Sequence, residues 1–509
     1  MLNYIDKKLN NITMYRLVMY YLMAILAYAV VLGNMGLIPY TSFHIVISVL
    51  YITFFSWVTN ILFSKIFKAP TNIESLYITA LILSFIITPT QSLFDLNFLW
   101  FAFLSAILAS ASKYIFAIRK KHIFNPVAIA VLVAGILTGQ AASWWVGTVY
   151  LIPVVVIFGL ILLRKILRFE LVVSFLLVFI VSILTIHQYF GFLNMISFTS
   201  KAILYSPVLF FAFIMLTEPL TSPTTRWMRI VYGIIVAIFF DPLFHIGTLY
   251  FTPELALVIG NTFSFIVSPK TKLVFLLKEK VKIAFNTYDF VFRKDRHFSF
   301  KPGQYMEWTL PHNNIDNRGN RRYFTIASSP TEENMHIGVK FYSKGSSFKK
   351  SLMTMSNGDV ITASQISGDF ILPKDINKKL VFLAGGIGIT PFRSMIKNII
   401  DKREQRDIYL LYFINSAKDI AYTEILNKAK GFGINVIYII ANVSDAPDGW
   451  NGEVGYLNIK MIKRIIPDFR ERIFYISGPH AMVKAGEKIL HNLGLKKKQI
   501  KSDFFPGLV

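Results

Sequence analysis

"VFLAGGIGITPFRSM", residues 381–395, runs an apolar stretch into a glycine cluster and then into a Thr-Pro pair. The apolar run reads as a buried strand, and Thr390-Pro391 are residue types that open a helix. Between them Gly385, Gly386 and Gly388 let the backbone approach a neighbour closely, and the helix N-terminus offers free N–H groups and partial positive charge to an anion. A tight strand-to-helix turn with no ligand would be spelled the same way. The surrounding chain decides between the two.

Downstream, "DIYLLYFIN", "NVIYIIANV" and "RIFYISGP" alternate with helical segments, so residues 376–509 read as a parallel sheet with crossover helices. Its last such strand ends in "SGPHAM", placing Ser477, Gly478, Pro479 and Met482 at the carboxyl edge of the sheet, where open α/β folds bind ligands. Upstream, residues 272–375 alternate apolar and polar over short runs broken by "KPGQY", "HNNIDNRGN" and "SNGD", the pattern of a small antiparallel β-barrel. Within it "RRYFTIASSP" carries Arg322, Tyr323, Phe324 and Thr325. Strand alternation points Arg322 and Phe324 together, to pair with a pyrophosphate and to stack on a planar ring, and Thr325 to the opposite face. Gly338 and Lys340 follow, and then "KGSS" sets Gly345, Ser346 and Ser347 before a helix, a start suited either to phosphate or to a plain cap.

In this order the pieces resemble the ferredoxin-NADP+ reductase superfamily across residues 272–509. The family's motifs become "RYFT", "KGSS", "GGIGITP", "SGPHAM" and "DFFPG" here. The resemblance implies FAD on the barrel at Arg322, Tyr323, Phe324, Thr325, Gly338, Lys340, Gly345, Ser346 and Ser347. It implies NAD(P)H at Gly385, Gly386, Gly388, Thr390, Pro391, Gly478, Pro479 and Met482. It sets Ser477 beside the hydride path, where many members have Cys, and Phe504 or Phe505 over the flavin. Phe324 stands where the family has Tyr. Ser416, Lys418 and Tyr422 are candidates to meet a 2'-phosphate, and the choice between NADH and NADPH stays open.

The first half is of another kind. The 509 residues are 54% hydrophobic, and the apolar excess lies between about Tyr15 and Val267. Ten stretches there reach the length or apolarity of spanning helices: 15–37, 42–64, 74–89, 97–117, 125–139, 145–163, 169–187, 203–217, 226–240 and 253–267. Lys and Arg gather in alternate loops, at Lys7, Lys8 and Arg16, at Lys65 and Lys68, at Arg119, Lys120 and Lys121, at Arg164, Lys165 and Arg168, and at Arg226 and Arg229. By the positive-inside rule the N-terminus and the polar half face the cytoplasm, making this a multi-pass protein of the cell membrane. The formal charge of +24 is thus read as membrane-surface electrostatics, without a nucleic-acid partner. The absence of Cys excludes thiolate metal sites and Cys-ligated clusters.

Two loops on the same side, "HIFNPVA" and "LTEPLTSPTT", are either ordinary helix punctuation or the lining of a site for an anionic or polar group. They resemble the membrane subunit shared by Na+-pumping NADH:quinone reductases and Rnf complexes (NqrB/RnfD). That family carries flavins in its membrane domain, but its SGAT attachment sequence is missing, so a second flavin here, FMN or riboflavin, would be noncovalent. The expected organisation is a helical bundle of about ten helices (1–268), an FAD-binding β-barrel (272–375) and a doubly wound NAD(P)-binding α/β domain (376–509). The expected function is transfer of electrons from NAD(P)H through FAD to a flavin or quinone in the membrane, or to an extracytoplasmic acceptor. The alternatives are a flavin-binding anchor or transporter with a regulatory reductase module, and a haem-containing protein like the ferric reductases. Haem is disfavoured because no two of His44, His122, His187 and His245 share a helix.

Overall fold

The computed structural model of the chain describes residues 9, 12–67, 73–118, 121–187, 192–241, 244–247, 249–268, 272–294, 298–316, 318–343 and 345–504. Lys7, Lys8, Lys68, Arg119 and Lys120 of the basic loops lie outside these residues, as do Lys344 and Phe505. The chain divides into two compact units, Met1–Thr271 and Lys272–Val509.

The first unit is helical: α1 (Met14–Asn34), α2 (Ser42–Ile66), α3 (Ile73–Ile86), α4 (Leu96–Ile115), α5 (Pro126–Thr138), α6 (Ile152–Ile166), α7 (Phe169–His187), α8 (Phe192–Leu204), α9 (Val208–Phe210, continued by a π-helical turn over Phe211–Met215), α10 (Arg226–Phe240) and α11 (Pro253–Val267). Local chemistry starts several of them. Thr13, Thr41, Asp95, Asn125 and Thr252 cap α1, α2, α4, α5 and α11 through side-chain oxygens, and Pro126 and Pro253 stand in the first turn.

Helices occupy all ten predicted places, but the count of membrane crossings needs correction. Among the described residues three helices, α1, α2 and α4, are long and apolar enough to cross a membrane, or four if the bent pair formed by α8 and α9 is one span. Proline shortens two of the others. Pro153 sits in the first turn of α6, which begins at Ile152 rather than near 145. Pro207 separates α8 from α9, and the two are bent by 60°. A helix such as Pro126–Thr138 or Pro253–Val267, at about 1.5 Å per residue, falls short of the roughly 30 Å of hydrocarbon.

The "NP" and "TEP" loops meet. Asn125 donates its side-chain amide to Glu218 (2.9 Å), Thr221 donates to the same carboxylate (3.0 Å), and Asn261 of α11 accepts from the Asn125 N–H (2.8 Å). His122 lies 3.6 Å from Glu218. Capping and tertiary hydrogen bonds therefore account for these motifs together, since an intramembrane polar group needs such partners.

The second unit holds two six-stranded sheets. The first is antiparallel, built from β1 (Leu273–Ala284), β2 (Thr287–Lys294), β3 (Tyr305–Thr309), β4 (Arg321–Thr325), β5 (Met335–Lys340) and β6 (Val360–Ser367), in the order β4-β3-β6-β1-β2-β5. It curls until its edges approach just past β4, where Ala327 N–H donates to His336 O (2.9 Å). Its core gathers Phe275, Phe290, Phe292, Met306, Trp308 and Ile337, with α12 (Ser347–Thr354) contributing Phe348 and Leu352.

The second sheet is wholly parallel, ordered β10-β9-β8-β7-β11-β12, from β7 (Leu380–Gly385), β8 (Ile408–Ile414), β9 (Ile434–Ile440), β10 (Glu453–Val454), β11 (Ile473–Gly478) and β12 (Ile500–Phe504). The crossovers include α13 (Thr390–Asp401), α14 (Thr423–Ala429), α15 (Ile459–Ile465) and α16 (His480–Asn492). All six residues of β7 are buried, because Leu380, Phe382 and Ala384 serve one core while Val381 and Leu383 serve the other. The chain leaves β7 toward β8 on one side and returns beside it as β11, so the topological switch lies between β7 and β11.

Candidate active site

On the antiparallel half, β4 presents the RRYFT residues. Thr325 is buried and its hydroxyl has no partner among the described residues. Arg322 and Phe324, two apart, both reach the Phe348 ring, at 5.4 and 5.9 Å. Tyr323 faces outward against Tyr305. The Arg322 guanidinium donates to the carbonyls of Arg318 (2.5 Å), Gly319 (3.1 Å) and Arg321 (2.6 Å), which hold it in place. Burial pushes its pKa down to about 10, against the pull of Asp316. Lys349, one turn into α12, is pushed down to about 8 by burial, with Arg322 and Arg318 adding to the effect.

These cations crowd the start of α12, where Ser346 caps the Lys349 N–H (3.3 Å). An anion already sits there. Asp316 accepts from the Ser347 N–H (3.0 Å), and although burial opposes it, the Ser347 and Arg318 N–H groups and the Arg318 guanidinium hold its carboxyl below the ordinary range. Gly345 turns the chain before this helix, its N–H on Tyr342 O (3.0 Å). Lys340, expected at the cofactor, pairs instead with Asp419 of the parallel half (2.9 Å).

On the parallel half, Gly386 adopts φ +52°, the left-handed region open to glycine, and a 3-10 turn over Gly386–Ile389 delivers Thr390 and Pro391 to the start of α13. This loop and the one after β11 are pressed together. A Cβ on Gly388 would lie 2.6 Å from the Gly478 Cα, and one on Gly385 would lie 3.1 Å from Pro479 and against the Met482 sulfur. Ser477 is fully buried between Ala384 and Asp503 in the sheet register, and its hydroxyl has no partner among the described residues. Asp503 Oδ2 is likewise enclosed and unpartnered, and burial pushes its carboxyl up to about 7. Phe504 ends β12.

Sequence reasoning named Thr325 and Ser477 but missed Asp316, Arg318, Lys349 and Asp503. Asp316 and Arg318 lie in a Gly/Asn-rich run read only as a loop, Lys349 follows the KGSS helix start, and Asp503 opens the DFFPG segment, where attention went to the phenylalanines. Tyr422, a candidate for a 2'-phosphate, is buried with its hydroxyl on Asp289 (3.2 Å), so of that set Ser416 and Lys418 remain in reach of a ligand. Among the described residues no cluster of three or more His, Asp or Glu is arranged to hold a metal ion. The enclosed hydroxyls, the open surface over Gly386 and the cations Arg322 and Lys349 together fit a flavin and a nicotinamide dinucleotide.

The model of the oxidoreductase NAD-binding domain matches residues 382–488. NADH-cytochrome b5 reductase 1 of Mortierella alpina is 30% identical over 239 residues, which are 45% of this chain and 78% of that protein. The second unit belongs to the ferredoxin-NADP+ reductase family. The reductase module is also 30% identical, over 232 residues, to the glycine betaine monooxygenase reductase subunit of Pseudomonas aeruginosa. The match takes in 44% of this chain and 63% of that subunit's length. The cytochrome b5 reductase domain of Ulva prolifera nitrate reductase shares 22% identity, with 46% of this chain and 97% of that one covered at a TM-score of 0.41. The family assignment rests on the sequence matches.

Proposed function

We propose that this protein is a membrane-bound flavin oxidoreductase that takes hydride from NAD(P)H at the crevice of its second unit and passes electrons to a separate acceptor. The observation that carries this reading is the pair of buried, unpartnered hydroxyls, Thr325 on the antiparallel half and Ser477 at the switch of the parallel sheet. A buried hydroxyl without a partner is costly, and a ligand edge supplies what is missing.

In this reading Arg322 and Lys349 hold the FAD pyrophosphate beside the α12 start that Asp316 caps, Phe324 and Tyr323 flank the flavin, and Thr325 bonds its edge. The Gly385–Pro391 loop takes the dinucleotide phosphates, and Ser477, Gly478, Pro479 and Met482 position the nicotinamide. When bound, FAD accepts two electrons together and releases them singly. The helical unit anchors the module with its N-terminus and reductase unit in the cytoplasm, in line with the basic loops. Its electron acceptor is a noncovalent flavin or a quinone within the helices, or a partner oxygenase or haem protein.

The test is anaerobic addition of NADH or NADPH to the detergent-purified protein. The expected result is a yellow protein whose flavin absorbance bleaches, with FAD released on denaturation. A protein that binds no flavin, or whose flavin neither nucleotide bleaches, overturns the reading. Two flavins per chain would support a flavin acceptor inside the helical unit, and one would leave a quinone or a partner protein as the acceptor.

A further inference from the structure

A buried polar cluster ties together the two sheets of the second unit, flanking the cofactor motifs. Arg393, on the first turn of α13, is buried and donates both terminal nitrogens to Glu332, one of them at 2.8 Å, and to Ala327 O (3.0 Å). Its guanidinium lies 5.6 Å from the centre of the Tyr422 ring. The Tyr422 hydroxyl donates to Asp289 Oδ1 (3.2 Å), whose Oδ2 is 2.8 Å from His336 Nδ1. His336 Nε2 closes the circuit 4.0 Å from Glu332. Beside it the Ser394 hydroxyl donates to Ser328 O (2.6 Å).

What this cluster joins gives it meaning. Ala327 is two residues beyond Thr325, and Arg393 is three beyond Thr390. Asp289 is the register partner of Gly338, and a Cβ added to Gly338 would lie 2.5 Å from the Tyr422 hydroxyl and 2.7 Å from the Thr390 methyl. The cluster therefore sets the glycine loop of one half directly on the strands of the other.

Stability alone does not explain it. A buried ion pair is often no more stabilising than apolar residues of the same shape, so its distinctive contribution is a defined geometry. Tyr422 also adopts φ +62°, a left-handed conformation unfavourable for a bulky side chain. Backbone strain of this kind persists where surrounding contacts over-determine it, and here they are the hydroxyl bond to Asp289 and the guanidinium against the ring.

We propose that Arg393, Glu332, Asp289 and Tyr422 are positioning residues that fix the spacing of the flavin half and the nicotinamide half, and thereby set the rate of hydride transfer rather than the affinity for either cofactor. This rests on the function proposed above. Reacting atoms displaced by about 1 Å lose on the order of 100-fold in rate, whereas in the proposed reading none of these four side chains touches either cofactor.

The full-length protein carrying Arg393→Met, and separately Tyr422→Phe, tests this. FAD and NAD(P)H dissociation constants should stay within about threefold of wild type, while the bleaching rate at saturating nucleotide falls by at least about tenfold for Arg393→Met and less for Tyr422→Phe. In the cofactor-free protein, hydrogen exchange should quicken in the 385–390 loop and in β5 while the centre of β8 stays protected. An unchanged bleaching rate, or loss of rate matched by equal loss of cofactor affinity, overturns the proposal. Should Arg393→Met fail to fold, Tyr422→Phe, which removes one oxygen, decides alone. A wild-type protein that nucleotide does not bleach would instead sink the functional reading, so the two failures are distinguishable.

Discussion

Arg322 is held by three backbone carbonyls and by the Phe348 face, so its guanidinium is aimed before any ligand arrives. A charge-assisted contact of this kind is worth about 1.5–3 kcal/mol. Arg322→Met should weaken FAD binding by roughly 10- to 100-fold while keeping the Phe348 contact, as read by flavin fluorescence titration; unchanged binding would remove Arg322 from the site. Asp503 makes a prediction of opposite character. Its folded-state carboxyl titrates near 7 because of burial, well above the unfolded value of about 3.9. Between those values the folded chain binds the extra proton, so this group's stabilising contribution is full below about pH 4 and is lost as pH rises through 7. Melting temperatures of wild type and Asp503→Asn should therefore diverge from about pH 5 to about pH 8, the variant holding up better at the alkaline end; parallel curves would show that Asp503 is not the titrating group.

Among elements, the two loops at the sheet switch show what sequence can and cannot say. Gly385, Gly386, Gly388 and Gly478 are conspicuous as glycines, but their reasons differ. Gly386 needs its positive φ, whereas Gly388 has no room for a Cβ against Gly478. A Gly388→Ala substitution should thus behave as overpacking, costing about 1–3 kcal/mol, and should lower the melting temperature even without cofactor. An unaltered melting temperature would mean that the loops part easily. The start of α12 is a similar case. "KGSS" is legible as a helix start, but the Asp316 carboxylate that occupies it comes from a loop 31 residues upstream, and no local pattern announces that pairing.

At the scale of the whole molecule, the shift from apolar runs to alternating segments near residue 270 is visible in composition, and the two compact units meet between Thr271 and Lys272. Hydropathy located the helices of the first unit well and their lengths poorly, because Pro153 and Pro207 stand at helix starts inside continuous apolar runs. With three helices of spanning length, the protein should remain in the membrane pellet after alkaline carbonate washing. Release into the supernatant would refute membrane integration.

The sequence by itself determined the order of antiparallel and parallel sheets, the glycine turn between β7 and α13, and the family to which the second unit belongs. Each follows from contacts within a few residues or from a spacing that local backbone geometry imposes. Only the tertiary structure decided that Thr325 Oγ1, Ser477 Oγ and Asp503 Oδ2 are enclosed without partners among the described residues, that Lys340 is paired with Asp419, and that Arg393 and Tyr422 bind the two halves together. Those outcomes depend on which distant side chains exclude water from a polar atom, and Asp289 and Tyr422, 133 positions apart, are brought together only when the chain folds.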